Sequence, residues 1–113
     1  MAAFIREATD SGDVLHVLGE VDLANVSEFE EAVNVLTGQP QVVVDLTGCT
    51  YMDSSGLRTL AVLHKAVGDK LRVIIPKSGS VHRIFEITGL AAQFNACESL
   101  EQAVAGTNGH ASR

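Results

Sequence analysis

Two short segments of the chain are apolar on both faces, and this feature limits the possible folds more than any other. Residues 41–46 read QVVVDL and residues 71–75 read LRVII, so the side chains on both sides of each strand would be mostly apolar. A strand of this kind needs cover on each face, as the central strands of a helix-covered sheet have. The pattern predicts a layered α/β domain in which these two segments are central strands.

Ahead of the first buried segment, apolar residues recur at helical spacing at Val26, Phe29, Val33 and Leu36. Asn25, with a glutamate three residues later, is typical of a helix start. Gly38 and Pro40 are typical of a helix end. We therefore expect an amphipathic helix between these signals.

Two more helices are predicted, one after each buried segment. The first would carry on one face Leu57, Leu60, Ala61, Leu63, His64 and Val67. The second would begin at residues 78–80, end at Gly89, and carry on one face Val81, Ile84, Phe85 and Thr88. His64 lies on the packing side of its helix, so we interpret it as a packing histidine rather than a ligand.

The two ends of the chain complete the pattern. Residues 4–7 and 14–19 are predicted strands, and the turn-rich residues 10–13 between them predict an opening hairpin. Near the other end, residues 94–97 are expected to form a short edge strand. Residues 100–104 are expected to form a short helix.

These elements predict one α/β domain over residues 1–105, with a mixed four- to five-stranded sheet, an opening hairpin and about four helices packed on it. Residues 47–51 are expected to be a loop. Residues 106–113 are small and polar, so we expect a flexible C-terminal tail there. Right-handed crossovers would bring the helix N-termini to the carboxyl ends of the parallel strands, which is where a functional site is expected.

Charge narrows the possible partners. The 113-residue chain has 8 Lys+Arg against 14 Asp+Glu, a formal net charge of −6, and 4% aromatic residues. An acidic surface repels phosphate backbones, so we expect a protein partner and no nucleic acid. Charges interrupt the N-terminal segment, and no apolar run approaches the ~20 residues that span a bilayer, so we expect a soluble, cytoplasmic protein.

The cysteines and histidines form no metal-binding pattern. Cys49 and Cys97 form either a disulfide or two buried reduced thiols, and the second interpretation fits an intracellular chain better. The four histidines are scattered and no CxxC occurs. We therefore predict neither a metal site nor a cofactor.

Residues 52–57 (MDSSGL) are the segment most suggestive of function, because they lie at a predicted helix start. The first amides of a helix lack internal partners, so an anion placed there is stabilised. Ser54 would be an exposed hydroxyl beside Asp53. Either Ser54 or Ser55 would also cap the helix, which is compatible with modification of Ser54. Gly56 would allow another backbone or a nucleotide to approach closely.

Four motifs, in this order and spacing, resemble those of the anti-sigma factor antagonist (STAS) family. They are GEVD at residues 19–22, VVDL at residues 43–46, YMDSSGL at residues 51–57 and IFEITGL at residues 84–90. The resemblance extends over roughly residues 4–104. DSSGL alone is short, but the set of four motifs is specific.

The resemblance implies that the unphosphorylated chain binds an anti-sigma factor, and that this binding frees a bacterial sigma factor. It also implies that the anti-sigma factor is a serine kinase of the histidine-kinase-like ATPase type. It implies that this kinase phosphorylates Ser54 and that the phosphorylated form dissociates from the anti-sigma factor. A metal-dependent serine phosphatase would reverse the modification. Asp22 and Asp53 would lie near the acceptor and, with Ser55 and Gly56, help to form the partner-binding surface. We expect no catalysis by the chain itself, and we expect a monomer that forms a heterocomplex.

Arg58 departs from the family pattern, in which a small residue often follows the Gly-Leu pair. An arginine four residues after Ser54 lies on the same side of a helix. It would therefore either pair with a phosphate on Ser54 or remain a solvated side chain on an exposed face. We include Arg58 in the expected partner-binding surface.

Three rival functions share parts of this pattern. A hydrolase nucleophile elbow needs Gly-x-Ser-x-Gly, but Met52 stands two residues before Ser54. A receiver domain would not open with a hairpin, and Asp45 falls inside a predicted strand. A STAS adaptor subunit of a lipid ABC transporter or of a stress-signalling assembly would use the same fold, although the Asp-Ser-Ser-Gly motif favours the kinase-regulated branch. Nucleotide binding stays open.

Overall fold

The computed structural model describes residues 1–104, and the predicted tail at residues 106–113 lies outside the described residues. In chain order the elements are β1 (Ala2–Thr9), β2 (Gly12–Val21), α1 (Val26–Asn34), β3 (Val42–Asp45), β4 (Cys49–Met52), α2 (Ser54–Val67), a 3₁₀ turn (Gly68–Lys70), β5 (Leu71–Ile74), α3 (Gly79–Thr88), α4 (Leu90–Gln93) and β6 (Ala96–Cys97). Residues 100–104 are also helical.

The strands of the described residues form one mixed sheet. β1 and β2 pair antiparallel as the predicted hairpin, and all other pairs are parallel in the order β1-β2-β3-β5-β6. β2 pairs with β3 through residues 14–16 and with β4 through residues 19–21, and the register shifts between Gly19 and Glu20. The predicted α/β class is confirmed, and the sheet has 6 strands within residues 1–104 rather than four or five.

The additional strand, β4, occupies much of the segment that was expected to be a loop, so that prediction is wrong for residues 49–51. Only Cys49 and Met52 of β4 are buried, so the segment lacks the apolar pattern of a central strand. β3 ends at Asp45 and pairs with β2 only as far as His16, so the last residues of β2 lack β3 as a neighbour and pair with β4 instead.

Both faces of the sheet are covered where β3 and β5 lie. Val42 and Val44 of β3 belong to the large core cluster, which also contains residues of α1, α2 and α3. Val43 points the other way and packs with Ala103 of the helical residues 100–104. β3 is therefore buried on both sides, as its sequence predicts.

The helix boundaries agree with the sequence signals except in α1. This helix begins after Asn25, but the Asn25 side chain makes no capping hydrogen bond. It ends at Asn34, and Leu36 is buried in the turn that follows. α3 ends at Gly89 as predicted, with a φ of 74°, a left-handed conformation that glycine adopts without steric cost.

A triad of side chains joins the first three strands. His16 lies between two carboxylates, with its Nδ1 2.7 Å from Oδ2 of Asp45 and its Nε2 2.6 Å from Oε1 of Glu7. Burial of the imidazole opposes protonation, but the hydrogen bonds to Glu7 and Asp45, with their charges, outweigh it and raise the pKa of His16. Glu7 is on β1, His16 on β2 and Asp45 on β3, so the triad links all three.

The two cysteines are free, buried thiols, as their preferred interpretation predicts, and burial raises the pKa of both Cys49 and Cys97. Within residues 1–104 no group of three or more His, Cys, Asp or Glu side chains is arranged to hold a metal ion. None of the helices in this part of the chain combines the length and apolarity that crossing a membrane requires.

Candidate functional site

The start of α2 and the loop after β2 meet at one edge of the sheet. The backbone amide of Asp53 donates a hydrogen bond to the carbonyl oxygen of Val21 at 3.1 Å, because β2 and β4 run parallel and both end here. Asp22 follows Val21 directly and Ser54 follows Asp53 directly. The carboxyl ends of two parallel strands therefore bring together two segments that lie some 30 residues apart in the sequence.

Asp53, rather than either serine, caps α2. Its carboxylate accepts hydrogen bonds from the backbone amides of Ser55 at 2.9 Å and Gly56 at 3.3 Å. The expectation that Ser54 or Ser55 caps the helix is therefore wrong, because the aspartate before them already reaches these amides. The Ser55 hydroxyl, followed by the backbone amides of Gly56, Ser55 and Leu23, holds the pKa of Asp53 below its ordinary value. Asp53 is consequently a carboxylate at neutral pH.

The two serines of the motif have different environments. Ser54 is the first residue of α2 and is exposed. Within residues 1–104, its hydroxyl forms no hydrogen bond, whereas the hydroxyl of the partly buried Ser55 donates to Oδ1 of Asp53. Of the two hydroxyls, only that of Ser54 is both accessible and unengaged.

Asp22 is held in a tight loop beside the start of α2. Its carboxylate accepts a hydrogen bond from the backbone amide of Ala24 at 3.0 Å, and its own amide donates to Oδ1 of Asn25 at 3.1 Å. The Asn25 amide group also donates to the carbonyl oxygen of Glu20 at 2.9 Å. Asn25, which the sequence identified only as a helix start, therefore fixes the loop that carries Asp22.

Gly56 allows the start of α2 to pack closely against the core. It is buried, and a β-carbon there would lie 2.5 Å from Cγ of Met52 and 3.1 Å from Cγ1 of Val21. The close approach expected at this glycine exists, but the approaching groups are side chains of the protein's own core and not a foreign backbone or a nucleotide. The absence of a side chain allows α2 to begin directly against β2 and β4.

Two exposed side chains lie near the start of α2. Leu23 is 78% exposed although it is large and apolar, and its backbone amide contributes to the hydrogen bonds on Asp53. Arg58 is exposed one helical turn after Ser54 and, among residues 1–104, forms no ion pair. Sequence reasoning identified Arg58 but missed Leu23, because a leucine after an acidic residue carries no signal of exposure.

An open depression of about 480 Å³ lies between β4 and the start of α3. Its lining residues are Thr47, Cys49, Thr50, Pro76, Lys77, Ser78, Gly79, Ser80, Val81 and Glu98. The Ser80 hydroxyl donates to the carbonyl oxygen of Thr50 at 2.7 Å and so ties α3 to β4. None of the site residues predicted from the sequence lines this depression.

Comparison with known proteins identifies relatives of one kind. The STAS domain family model matches residues 5–103. The chain is 31% identical over 99 residues to the anti-sigma-F factor antagonist RsfB of Mycobacterium tuberculosis, covering 85% of this chain and 81% of that protein.

Two solved structures share the fold. One is an anti-sigma factor antagonist from Mycobacterium paratuberculosis, with a TM-score of 0.86 at 24% identity over 94% of this chain and 93% of that one. The other is the Bacillus cell fate determinant SpoIIAA in its phosphorylated form, with a TM-score of 0.64 at 20% identity over 93% of this chain and 99% of that one. The residues matched by the family model include every element that forms the site.

Proposed function

The chain belongs to the STAS domain family, and we propose that it is an anti-sigma factor antagonist whose partner binding is switched off by phosphorylation of Ser54. The unphosphorylated form binds an anti-sigma factor that is also a serine kinase, and this binding releases the sigma factor. A metal-dependent serine phosphatase restores the binding form. The scheme requires a cytoplasmic location and no catalysis by this chain.

The environment of the two serines is the observation that carries this proposal. An acceptor must offer its oxygen to a kinase, and Ser54 is exposed with an unengaged hydroxyl within the described part of the chain. Ser55 donates its hydroxyl hydrogen to Asp53 and would have to give up that bond to react. The motif and this geometry both favour the first serine.

The electrostatics of the site support a switch that needs no change of fold. Phosphorylation adds about −1.5 to −2 charges at neutral pH. Asp53 directly precedes Ser54 and has a lowered pKa, and Asp22 follows Val21, the residue that the Asp53 amide contacts, so we expect the new charge to enter an acidic neighbourhood. A partner surface that fits a neutral hydroxyl has no group of its own to match this charge, and burying it there would cost on the order of 2–5 kcal/mol. That cost corresponds to roughly 30- to 4,000-fold in affinity.

Capture of the partner, followed by a phosphorylation assay, tests the proposal. The immobilised, unmodified protein would capture its partner from a lysate of its own organism, and mass spectrometry would identify that partner. We expect an anti-sigma factor with kinase activity, which in the presence of ATP adds one phosphate to Ser54. Capture of a transporter ATPase instead would favour the adaptor alternative.

The two serines provide matched controls for this assay. Ser54→Ala should abolish phosphorylation, whereas Ser55→Ala should retain it, because the backbone amides of Ser55 and Gly56 still bind Asp53. Phosphate located only on Ser55, or no phosphate despite a kinase that is active on another substrate, would refute the assignment of Ser54.

A further inference from the structure

Arg58 is a charged side chain with no structural task in the free protein. It is exposed on α2, and within the described residues it takes part in no ion pair or side-chain hydrogen bond. It is also the only charged residue in the first two turns of that helix, because the next is the lysine at position 65. A long cationic side chain is therefore available close to the helix start.

The nearest carboxylate in the sequence, that of Asp53, does not hold this cation. Its Oδ1 atom accepts hydrogen bonds from the amide and hydroxyl of Ser55 and from the amide of Gly56. Because these groups satisfy Asp53, Arg58 remains free to meet an anion that arrives later at the helix start.

We propose that Arg58 is the built-in counter-ion of a phosphate on Ser54. Ser54 is the first residue of α2 and Arg58 is the fifth, so the two lie four residues apart on one face, with the anion nearer the N-terminus. This is the favoured orientation for an ion pair within a helix. A guanidinium can donate two parallel hydrogen bonds to phosphate oxygens, which an ammonium cannot do. The pair depends on the proposed function only in that Ser54 is the modified residue.

The pair would set the charge that the switch delivers. Asp53 directly precedes Ser54, and Asp22 follows Val21, whose carbonyl oxygen accepts the hydrogen bond of the Asp53 amide, whereas Glu20 lies 3.9 Å from the N-terminal ammonium. The two aspartates disfavour the second ionisation of a nearby phosphate, whose pKa is about 6 when isolated. A guanidinium one turn away opposes them and favours the doubly charged phosphate. Arg58 therefore keeps the phosphate itself close to its doubly charged form at neutral pH.

The test uses protein with phosphoserine installed at position 54 by genetic code expansion, so it requires no kinase and no partner. A phosphorus NMR titration gives the pKa of the phosphate in the otherwise wild-type protein, in Arg58→Gln, in Arg58→Lys and in Lys65→Gln. Lys65 is the matched control, because it is an exposed cation of the same helix eleven residues from the phosphate. High salt should reduce any difference, since the pair is exposed.

We expect Arg58→Gln to raise the phosphate pKa by about 0.15–0.4 units, the size of an exposed ion pair within a helix. Arg58→Lys should have a smaller effect, and Lys65→Gln should leave the phosphate pKa unchanged. Identical titrations of Arg58→Gln and Lys65→Gln would overturn the inference. A shift caused by Arg58 in a protein whose partner ignores the phosphate would instead contradict the proposed function and leave the pair intact.

Discussion

The hydroxyl and the backbone amide of Ser55 both donate hydrogen bonds to Oδ1 of Asp53. This double contact makes Asp53 the cap of α2 and at the same time occupies the second hydroxyl of the motif. The neighbouring Ser54 is left exposed. The two adjacent serines therefore differ in exposure and hydrogen bonding because the preceding aspartate binds the hydroxyl of only one of them.

Replacing Asp53 by Ala should destabilise the start of α2. The amides of Ser55 and Gly56 lose their acceptor, and a helix whose first amides are unpaired is less stable. We expect a lower urea midpoint for Asp53→Ala and faster amide exchange at residues 55 and 56. Asp53→Ser is the matched control, because serine also caps helices, and it should recover most of the loss.

Acidification should remove the contribution of the Asp53 cap to the stability of the protein. The pKa of Asp53 is lower in the folded protein than its ordinary value, so its contribution to stability is present above that ordinary value. The contribution is lost as the pH falls through the lowered pKa. Asp53→Ser should therefore lose less stability than the wild type on acidification, and equal losses would contradict this account of the cap.

Gly56→Ala should destabilise the protein despite the higher helix propensity of alanine. The added β-carbon would lie 2.5 Å from Cγ of Met52, which is buried, and overpacking of this kind costs about 1–3 kcal/mol against a propensity gain of up to about 1 kcal/mol. Gly38→Ala is the control, because nothing lies within 4 Å of its β-carbon position. Chemical denaturation should separate the two variants, and equal stabilities would be inconsistent with the packing described here.

His16 should make stability depend on pH in the opposite direction from Asp53. Its pKa is raised above 6.5 in the folded protein, so the triad with Glu7 and Asp45 contributes fully below pH 6.5. The contribution is lost as the pH rises through the raised pKa. Proton NMR should show the raised pKa directly, and His16→Gln should remove this part of the pH dependence of unfolding. A His16 pKa at or below 6.5 would contradict the triad.

Leu23 should anchor the partner. It is 78% exposed in the loop after β2, next to Asp22, and a few side chains near the centre of an interface account for most of the binding free energy, about 1 kcal/mol or more each. We expect Leu23→Ala to weaken binding of the unphosphorylated protein by about 5-fold or more without changing its thermal stability. Val35→Ala is the control, because Val35 is an exposed apolar residue just beyond the far end of α1. Equal affinities for the two variants would remove Leu23 from the docking surface.

Much of the fold is readable from local patterns. Val42 to Val44 are buried on both faces, and Phe29 and Val33 face the core, as their spacing predicts. β4 was not predictable in this way, because it pairs with the end of β2, about 30 residues earlier, which β3 does not reach. A pairing of that kind is decided by the backbone groups of a distant strand rather than by the apolar pattern of β4 itself.

The candidate site, too, could be predicted only in part from the sequence. The position of residues 52–57 at a helix start was predictable, whereas Asp22 was expected nearby only from the family resemblance. The choice of Asp53 as the cap was not, because aspartate and serine are both good caps and only the backbone geometry decides between them. The core contacts of Gly56 likewise depend on where Met52 and Val21 lie in space.

Isothermal titration calorimetry with the captured anti-sigma factor tests the phosphate switch most directly. The unmodified protein and Ser54→Ala should bind with similar affinity, Ser54→Asp more weakly, and the Ser54-phosphorylated protein roughly 30- to 4,000-fold more weakly than the unmodified form. Equal affinities of the phosphorylated and unphosphorylated proteins for that partner would contradict the switch, whatever the kinase does to Ser54.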